Sequence, residues 1–420
     1  MKKLGEPQGL EKAVGSFVLA GFDDGARRGQ FGSQPAWRRL RELGTELWLD
    51  TGSLEEAEEL WTGEFSALTT NNTLLNREVQ KGTYDSLIPE ARRLLASHGL
   101  SGRRLLLEIA FILNARHALE LVSRFDAFVS VEEHTDMAHD VEAAVAYARR
   151  YHAICPERFI IKIPFTPAGL LATRRLSADG IPVNHTLGFS ARQNYVIARL
   201  ARPAFVNVFL GRLNSFVADN GLGDGTFVGE KATVASQHVV SELRRAGRSP
   251  SRQIGASFRE GGQVCALAGI DVMTMPPKVA KEFLELKIPP AQIDDRTGAR
   301  YEPPLKAGVD ASSVSLHTLW DVGDELVACM DALEGEDVDA FTPESLLEHF
   351  ASHGCADVLP RWSAGQVATS AAEGKIPRLE NWREQLASGE VALDALMNLA
   401  GLNSFAADQK AMDERITKLL

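Results

Sequence analysis

The chain has 420 residues, 45% of them hydrophobic, and a formal net charge of −11. That is enough to bury the core of one large domain or two smaller ones. The acidity excludes a general nucleic-acid binder and a polybasic membrane surface, so any phosphate site must be a local basic cluster.

Residues 1–45 are glycine-rich and then basic (Trp37-Arg38-Arg39-Leu40-Arg41), an extension followed by a leading helix. The start is a poor signal peptide, because Glu6, Pro7 and Glu11 precede its short apolar run. No stretch is apolar for long enough to span a bilayer. Cys155, Cys265, Cys329 and Cys355 are scattered without a CxxC pair. Free thiols and a soluble, cytoplasmic protein are the expectation.

Glu46 to Asp50 reads as a strand, and Ser53-Leu54-Glu55-Glu56 opens a helix with a capping-box pattern. Ser66 to Thr69 is a second strand running into Thr70-Asn71-Asn72, and residues 73–124 are mostly helical. Ala127 to Glu132 reads as a strand and Met137 to Tyr151 as a helix. Phe159-Ile160-Ile161-Lys162-Ile163-Pro164 is a short β-branched run stopped by proline, hence a buried strand. Thr166-Pro167 then caps a helix that ends near Gly180. Strands follow at Ile181–Leu187, Phe205–Phe209, Ile254–Phe258 and Asp271–Met275, separated by helices at 191–201, Thr233–Ala246 and Gln263–Ala268. Eight strands alternating with helices over about 230 residues predict a closed (β/α)8 TIM barrel. An open doubly wound sheet is the alternative, but no GxGxxG follows a strand as a dinucleotide site needs. Residues 291–392 form a mostly helical insertion with Thr342 capping a helix and a loop from Lys375 to Leu379; residues 393–420 form a closing helix.

In a barrel, chemistry sits at the C-terminal ends of the strands. Those ends carry Asp50, Thr69 to Asn71, Glu132, Lys162, Asn184 with Thr186, Asn207, and Ser257 with Arg259. Residues two apart share a strand face, which pairs Asn184 with Thr186 and Ser257 with Arg259. A lysine in the middle of a buried strand is costly unless paired or neutral, and a neutral amine attacks carbonyls to form imines. Two carboxylates beside it suit imine chemistry: one shuttles protons through water, the other takes the proton of a substrate hydroxyl. Arg212 and Arg259 suit a phosphate, which arginine grips bidentately.

The segments WLDTGS, ALTTNNTLL, VSVE, IIKIPFTPAGL, GIPVNHTLGFS, VNVFLGR, IGASFR and ALAGIDVMTMPP occur in the order of the transaldolase family, and SFAADQKAMDERI resembles its closing helix. The resemblance covers about residues 46–290 and 396–420. It implies a cofactor-independent transfer of a dihydroxyacetone unit between sugar phosphates through a lysine imine, as in the non-oxidative pentose phosphate pathway, by a protein that assembles as a homodimer. By the resemblance Lys162 is the imine lysine, Glu132 and Thr186 order the catalytic water, and Asp50 is the acid/base at the cleaved bond. Asn71 and Asn184 match ligands of the three-carbon unit, and Arg212, Ser257 and Arg259 match the sugar-phosphate site. Phe209 and Glu132 match positions that favour the transferase over related fructose 6-phosphate aldolases.

Three residues depart from the family pattern: Asn72 where TTNP has proline, Asn207 where a serine is expected to touch the three-carbon unit, and Glu260 where asparagine is usual. Two clusters invite a metal reading, the first as a metal-dependent barrel enzyme. Glu132-Glu133-His134 with His139 has no diagnostic spacing, and His349, His353 and Cys355 read as a solvated helix face because no fourth ligand is evident nearby. A transaldolase-like aldolase with a different sugar substrate and a catalytically silent sugar-phosphate binder are the remaining alternatives, although a binder has no need of a buried amine.

Overall fold

The computed structural model describes residues 9–22 and 31–420. Eight parallel strands close a barrel in chain order: β1 (Glu46–Asp50), β2 (Phe65–Thr69), β3 (Phe128–Glu132), β4 (Phe159–Pro164), β5 (Val183–Thr186), β6 (Phe205–Phe209), β7 (Arg252–Ala256) and β8 (Val272–Met275). β8 pairs with β1, so the sheet has no free edge. The expected (β/α)8 barrel is thus observed.

The strands are nearly continuous apolar runs because both faces are covered. Trp48, Ile160, Ile254 and Val272 fill the lumen beneath the mouth, with Phe205 edge-on to Trp48 at 4.8 Å between ring centroids. The register sets Glu132 beside Lys162 across β3 and β4, and Lys162 beside Asn184 across β4 and β5. A one-residue slip would turn the lysine from the lumen to the helix layer, so this register fixes the chemistry.

Local details depart from expectation for identifiable reasons. Only half of the capping box forms at Ser53: its hydroxyl accepts from the Glu56 N–H at 3.3 Å, but the Glu56 carboxylate accepts from Thr51 at 2.9 Å instead of reaching back. The helix expected over Met137–Tyr151 is split. A 3-10 turn covers Thr135–His139, and a new helix, Val141–Ile154, starts where the Asp140 side chain accepts from the Ala143 N–H. β7 ends at Ala256, so Ser257 (φ 64°) and Arg259 lie on the following loop and do not share a strand face. A helix that the sequence reading missed, Leu210–Asp219, carries Arg212, and the next helix starts at Val228, before Thr233. In the N-terminal extension, helix Leu10–Leu19 buries Leu10, Val14 and Val18 against helix Gly102–Phe125. Glu6 and Pro7, on which the signal-peptide reading turned with Glu11, lie outside the described residues.

Beyond β8 the described residues hold no strand, only a single bridge between Gly223 and Leu305. Helices Asp324–Leu333 and Pro343–Ser352 pack on barrel helices Ala191–Leu200 and Pro167–Ala178. They share a second core, in which Leu326, Leu346 and Phe350 meet Phe165, Leu171 and Val196. The chain ends in helix Leu393–Lys418, which lies across the mouth against helix Asn72–Gln80.

That last helix is latched by charge. Asp394 is fully buried and accepts from Arg192 through two nitrogens (2.8 and 2.7 Å) and from the Ser190 hydroxyl (2.7 Å). The third guanidinium nitrogen of Arg192 donates to Asp357 at 2.6 Å. Removing one partner of such a buried pair strands the other charge, whereas the pair itself is close to neutral. Asp394→Ala is therefore expected to lower the unfolding free energy by about 3–5 kcal/mol. Urea denaturation measures this, and a loss below about 1 kcal/mol would mean that solvent reaches Arg192.

Candidate active site

A cavity of about 400 Å³ opens at the C-terminal ends of the strands. Its walls include Asp50, Asn71, Lys162, Asn184, Thr186, Asn207, Phe209, Arg212, Ser257 and Arg259. Every site residue named from the sequence is thus in the wall except Glu132, which stands behind Lys162.

Lys162 is 4% exposed. Its Nζ donates to the Thr70 carbonyl at 3.2 Å and lies 3.6 Å from the Glu132 carboxylate. An ammonium has three N–H groups, so two partners leave one direction toward the cavity. The Phe405 ring, from the closing helix, stands 5.5 Å from the nitrogen and limits access of water.

Burial pushes the Glu132 carboxyl above its ordinary pKa, and Lys162 and the backbone N–H of Asn72 oppose that rise. The Asn72 N–H donates to Glu132 Oε2 at 2.9 Å. A proline, which the family pattern leads one to expect here, has no N–H and could not make this bond. The Asn72 side chain adds a second tie, donating to the Glu133 carbonyl at 3.2 Å. The departure at Asn72 therefore supplies a donor to the acid beside the lysine.

Asp50 lies across the floor. Desolvation raises its pKa against the pull of Thr69, Lys162 and two arginines. Thr69 donates to Asp50 at 2.7 Å and meets Thr274 at 2.6 Å, which aims the carboxylate. Two buried carboxyls with raised pKa, both under the pull of one amine, are suited to moving protons.

An amide ladder runs along the wall: Asn207 Nδ2 donates to Asn184 Oδ1 at 3.1 Å, and Asn184 Nδ2 donates to Ser130 Oγ at 3.1 Å. Asn207 thus holds the neighbouring asparagine, a contact beyond a serine's reach. Asn71 caps helix Asn72–Gln80 by accepting from the Leu74 N–H at 2.9 Å, which leaves its NH2 group for a ligand. Asn207 Oδ1, Thr186 Oγ1 and Arg212 Nη1 are buried without a hydrogen-bond partner. Unmet buried polar groups are costly, and three around one cavity mark where a polyhydroxylated, anionic ligand would bond.

The far end is cationic. Burial, then repulsion from Arg259, lowers the Arg212 pKa to about 10. Its guanidinium lies 5.3 Å from the Phe209 ring and 5.6 Å from Phe405. Arg77 and Lys375 also line the cavity, and the Lys375 pKa is lowered by burial and by the arginines around it. Gly211 is required for this close packing: a Cβ there would stand 2.1 Å from the Ser257 carbonyl and 2.6 Å from the Arg259 side chain. Glu260 is exposed and absent from the cavity wall.

Three contributors escaped the sequence reading. Lys375 sat in a segment read only as a loop, Phe405 in a helix valued only for closing the barrel, and Arg77 in a long helical stretch without a landmark. The metal reading around Glu132 is overturned by geometry. Glu132 turns to Lys162, Glu133 is buried with neither oxygen bonded, and His134 pairs with Asp413 at 3.2 Å.

A (β/α)8 barrel with a lysine buried at its mouth is the architecture of an imine-forming aldol enzyme. The chain belongs to the transaldolase/fructose-6-phosphate aldolase family, whose sequence model matches residues 47–344. It is 29% identical over 309 residues to a transaldolase of Xanthomonas euvesicatoria, covering 67% of this chain and 94% of that one. It is 36% identical over 244 residues to a probable transaldolase of Thermus thermophilus, covering 57% and 91%. A Xanthomonas campestris transaldolase is 31% identical over 252 residues, covering 58% and 76%.

Asn72→Pro tests the new donor. Position 72 is the first residue of its helix and follows an extended Asn71 (φ −157°, ψ 168°), so proline fits the backbone. Losing a hydrogen bond to the ionised form raises a carboxyl's pKa. The acid limb of the kcat/KM pH profile is expected to move to higher pH, with stability lower by about 1 kcal/mol. A profile that does not move would show that Glu132 does not need the Asn72 amide.

Proposed function

We propose that this chain acts as a transaldolase that takes sedoheptulose 7-phosphate or fructose 6-phosphate as donor. Glyceraldehyde 3-phosphate or erythrose 4-phosphate is the acceptor. The observation that carries the reading is the amine of Lys162, 3.6 Å from a buried carboxyl at one end of a cavity whose other end holds an unpaired, buried arginine. Membership of the family makes the protein a transferase and gives it sugar phosphates as substrates.

The steps follow from these positions. The ketose phosphate enters with its phosphate toward Arg212 and Arg259, the Ser257 hydroxyl and Lys375. Lys162 attacks the ketone carbon, and the resulting carbinolamine loses water to give the imine; Glu132 carries the protons through a water held by Thr186. Asp50 takes the proton of the C4 hydroxyl as the C3–C4 bond breaks. The electron pair passes into the imine as an enamine, and the shortened aldose phosphate leaves. Asn71, Asn184 and Asn207 hold the hydroxyls of the remaining three-carbon unit. The incoming aldehyde is attacked by the enamine, Asp50 returns the proton to the new hydroxyl, and water hydrolyses the imine to free the new ketose. Phe405 and Phe209 wall off the enamine from solvent, which favours transfer over hydrolysis.

A cytoplasmic location and a homodimer complete the proposal; Cys265, Cys329 and Cys355 are not in disulfides, in keeping with a reducing compartment. Sedimentation showing only monomer would remove the dimer.

Borohydride added with fructose 6-phosphate is expected to fix the added mass on the peptide containing Lys162 and to abolish turnover. A label elsewhere, or near-normal activity of Lys162→Met, would overturn the imine assignment, and a silent binder would show no label. Arg212→Ala is expected to raise KM for phosphorylated substrates by an amount equivalent to about 1.5–3 kcal/mol, the worth of a charged hydrogen bond, and to leave unphosphorylated aldehydes nearly unchanged. Equal losses on both would make the arginine structural.

A further inference from the structure

The insertion after the barrel holds a cluster that the aldol chemistry does not use. Cys329, in helix Asp324–Leu333, meets His349 and His353, in and just after helix Pro343–Ser352; one ligand atom from each lies within 4.8 Å of the others. Sequence spacing alone shows only His349, His353 and Cys355, which is why it read as a solvated face. Cys329 is brought in from twenty residues before His349 by the packing of the two helices. Cys355, whose Sγ donates to the His353 carbonyl at 3.5 Å, stands next to His353 but outside that group of three, and would be the fourth ligand.

We propose that Cys329, Cys355, His349 and His353 form a tetrahedral site for a zinc-class divalent metal, distinct from the catalytic cavity and independent of the aldol reading. The two-thiolate, two-imidazole set is a common structural zinc combination. The imidazoles are already oriented: His349 Nε2 bonds the Cys329 carbonyl at 3.0 Å, and His353 Nδ1 bonds the His349 carbonyl at 2.8 Å. Each ring thus has one nitrogen fixed by a backbone carbonyl, the usual outer partner of a metal-bound histidine, and keeps the other for the metal. The rings lie together, 4.2 Å between centroids. Both thiols are buried, at 0% and 3% exposure, while His353 is exposed and gives the ion a way in. Tetrahedral bonds of about 2.3 Å to sulfur and 2.0 Å to nitrogen set ligand atoms roughly 3.3–3.8 Å apart, so binding would draw the three clustered atoms together by about 1 Å and bring Cys355 in to join them. The thiols lose their protons to solvent as the metal binds, and nothing is oxidised or reduced.

Such a site would staple the two insertion helices to the turn that carries Asp357, the residue that grips Arg192. The test is metal binding by the full chain. Protein purified without chelator is expected to carry one zinc per chain. After chelation, Co2+ should restore one equivalent with intense tetrahedral d–d bands and a thiolate-to-cobalt charge-transfer band. His353→Ala, at an exposed position, should fold normally and bind Co2+ at least about tenfold more weakly. Cys329→Ser, checked for folding by circular dichroism, should lose part of the charge-transfer intensity. Pale octahedral Co2+ spectra, no stoichiometric binding, or titrations unchanged in both variants would overturn the proposal. So would a Cys329–Cys355 disulfide in place of the metal, seen as the loss of two hydrogens by mass spectrometry.

Discussion

The molecule is organised around a buried amine and a buried acid held on neighbouring strands. Neither Lys162 nor Glu132 would be stable alone in that environment, because each would lose its hydration without compensation. Together they are tolerable, and the closed barrel supplies the rigidity that keeps them 3.6 Å apart. The packed lumen below, with Trp48 and Phe205, denies the pair any retreat from the mouth. Nearly every other polar feature of the site can be read as a consequence: Thr70 and Asn72 lend backbone groups to it, and Phe405 covers it.

The electrostatic layout answers the constraint set by net charge. A chain at −11 repels anions at long range, yet its cavity collects Arg77, Arg212, Arg259 and Lys375. Because Arg212 is desolvated and crowded by like charge, it gains more from an anion than an exposed arginine would. The cluster is assembled from four segments distant in sequence, and two of its members, Arg77 and Arg259, also pull on the Asp50 carboxyl.

Much of this was legible in the chain because parallel barrel strands write themselves as short β-branched runs with polar tips. Asp50 ends β1, Lys162, Asn184 and Asn207 lie within their strands, and period-two alternation says which way all four point. Where reading failed, the missing information was long-range or carried by a single side chain. Asp140 ends one turn and caps the next helix, a local bond that apolar spacing does not reveal. Lys375, Phe405 and Cys329 reach their neighbours only through the packing of the insertion and the closing helix, which no periodicity encodes. Asn72 is the instructive case. As a letter it was a departure from the family pattern, but its meaning lay in a main-chain N–H that only the fold aims at Glu132.

The latch between Arg192 and Asp394 also has a temporal consequence. The last barrel strand ends at Met275, and the buried aspartate comes 119 residues later (275 to 394). At a synthesis rate of 5–20 residues per second, roughly 6–24 s separate the two. Through that interval every barrel strand has been made, while Asp394, the partner of Arg192, and Phe405, the cover of the amine, have not. Helix Leu393–Lys418 is thus made after all the barrel strands, and its arrival both pairs the arginine and roofs the lysine.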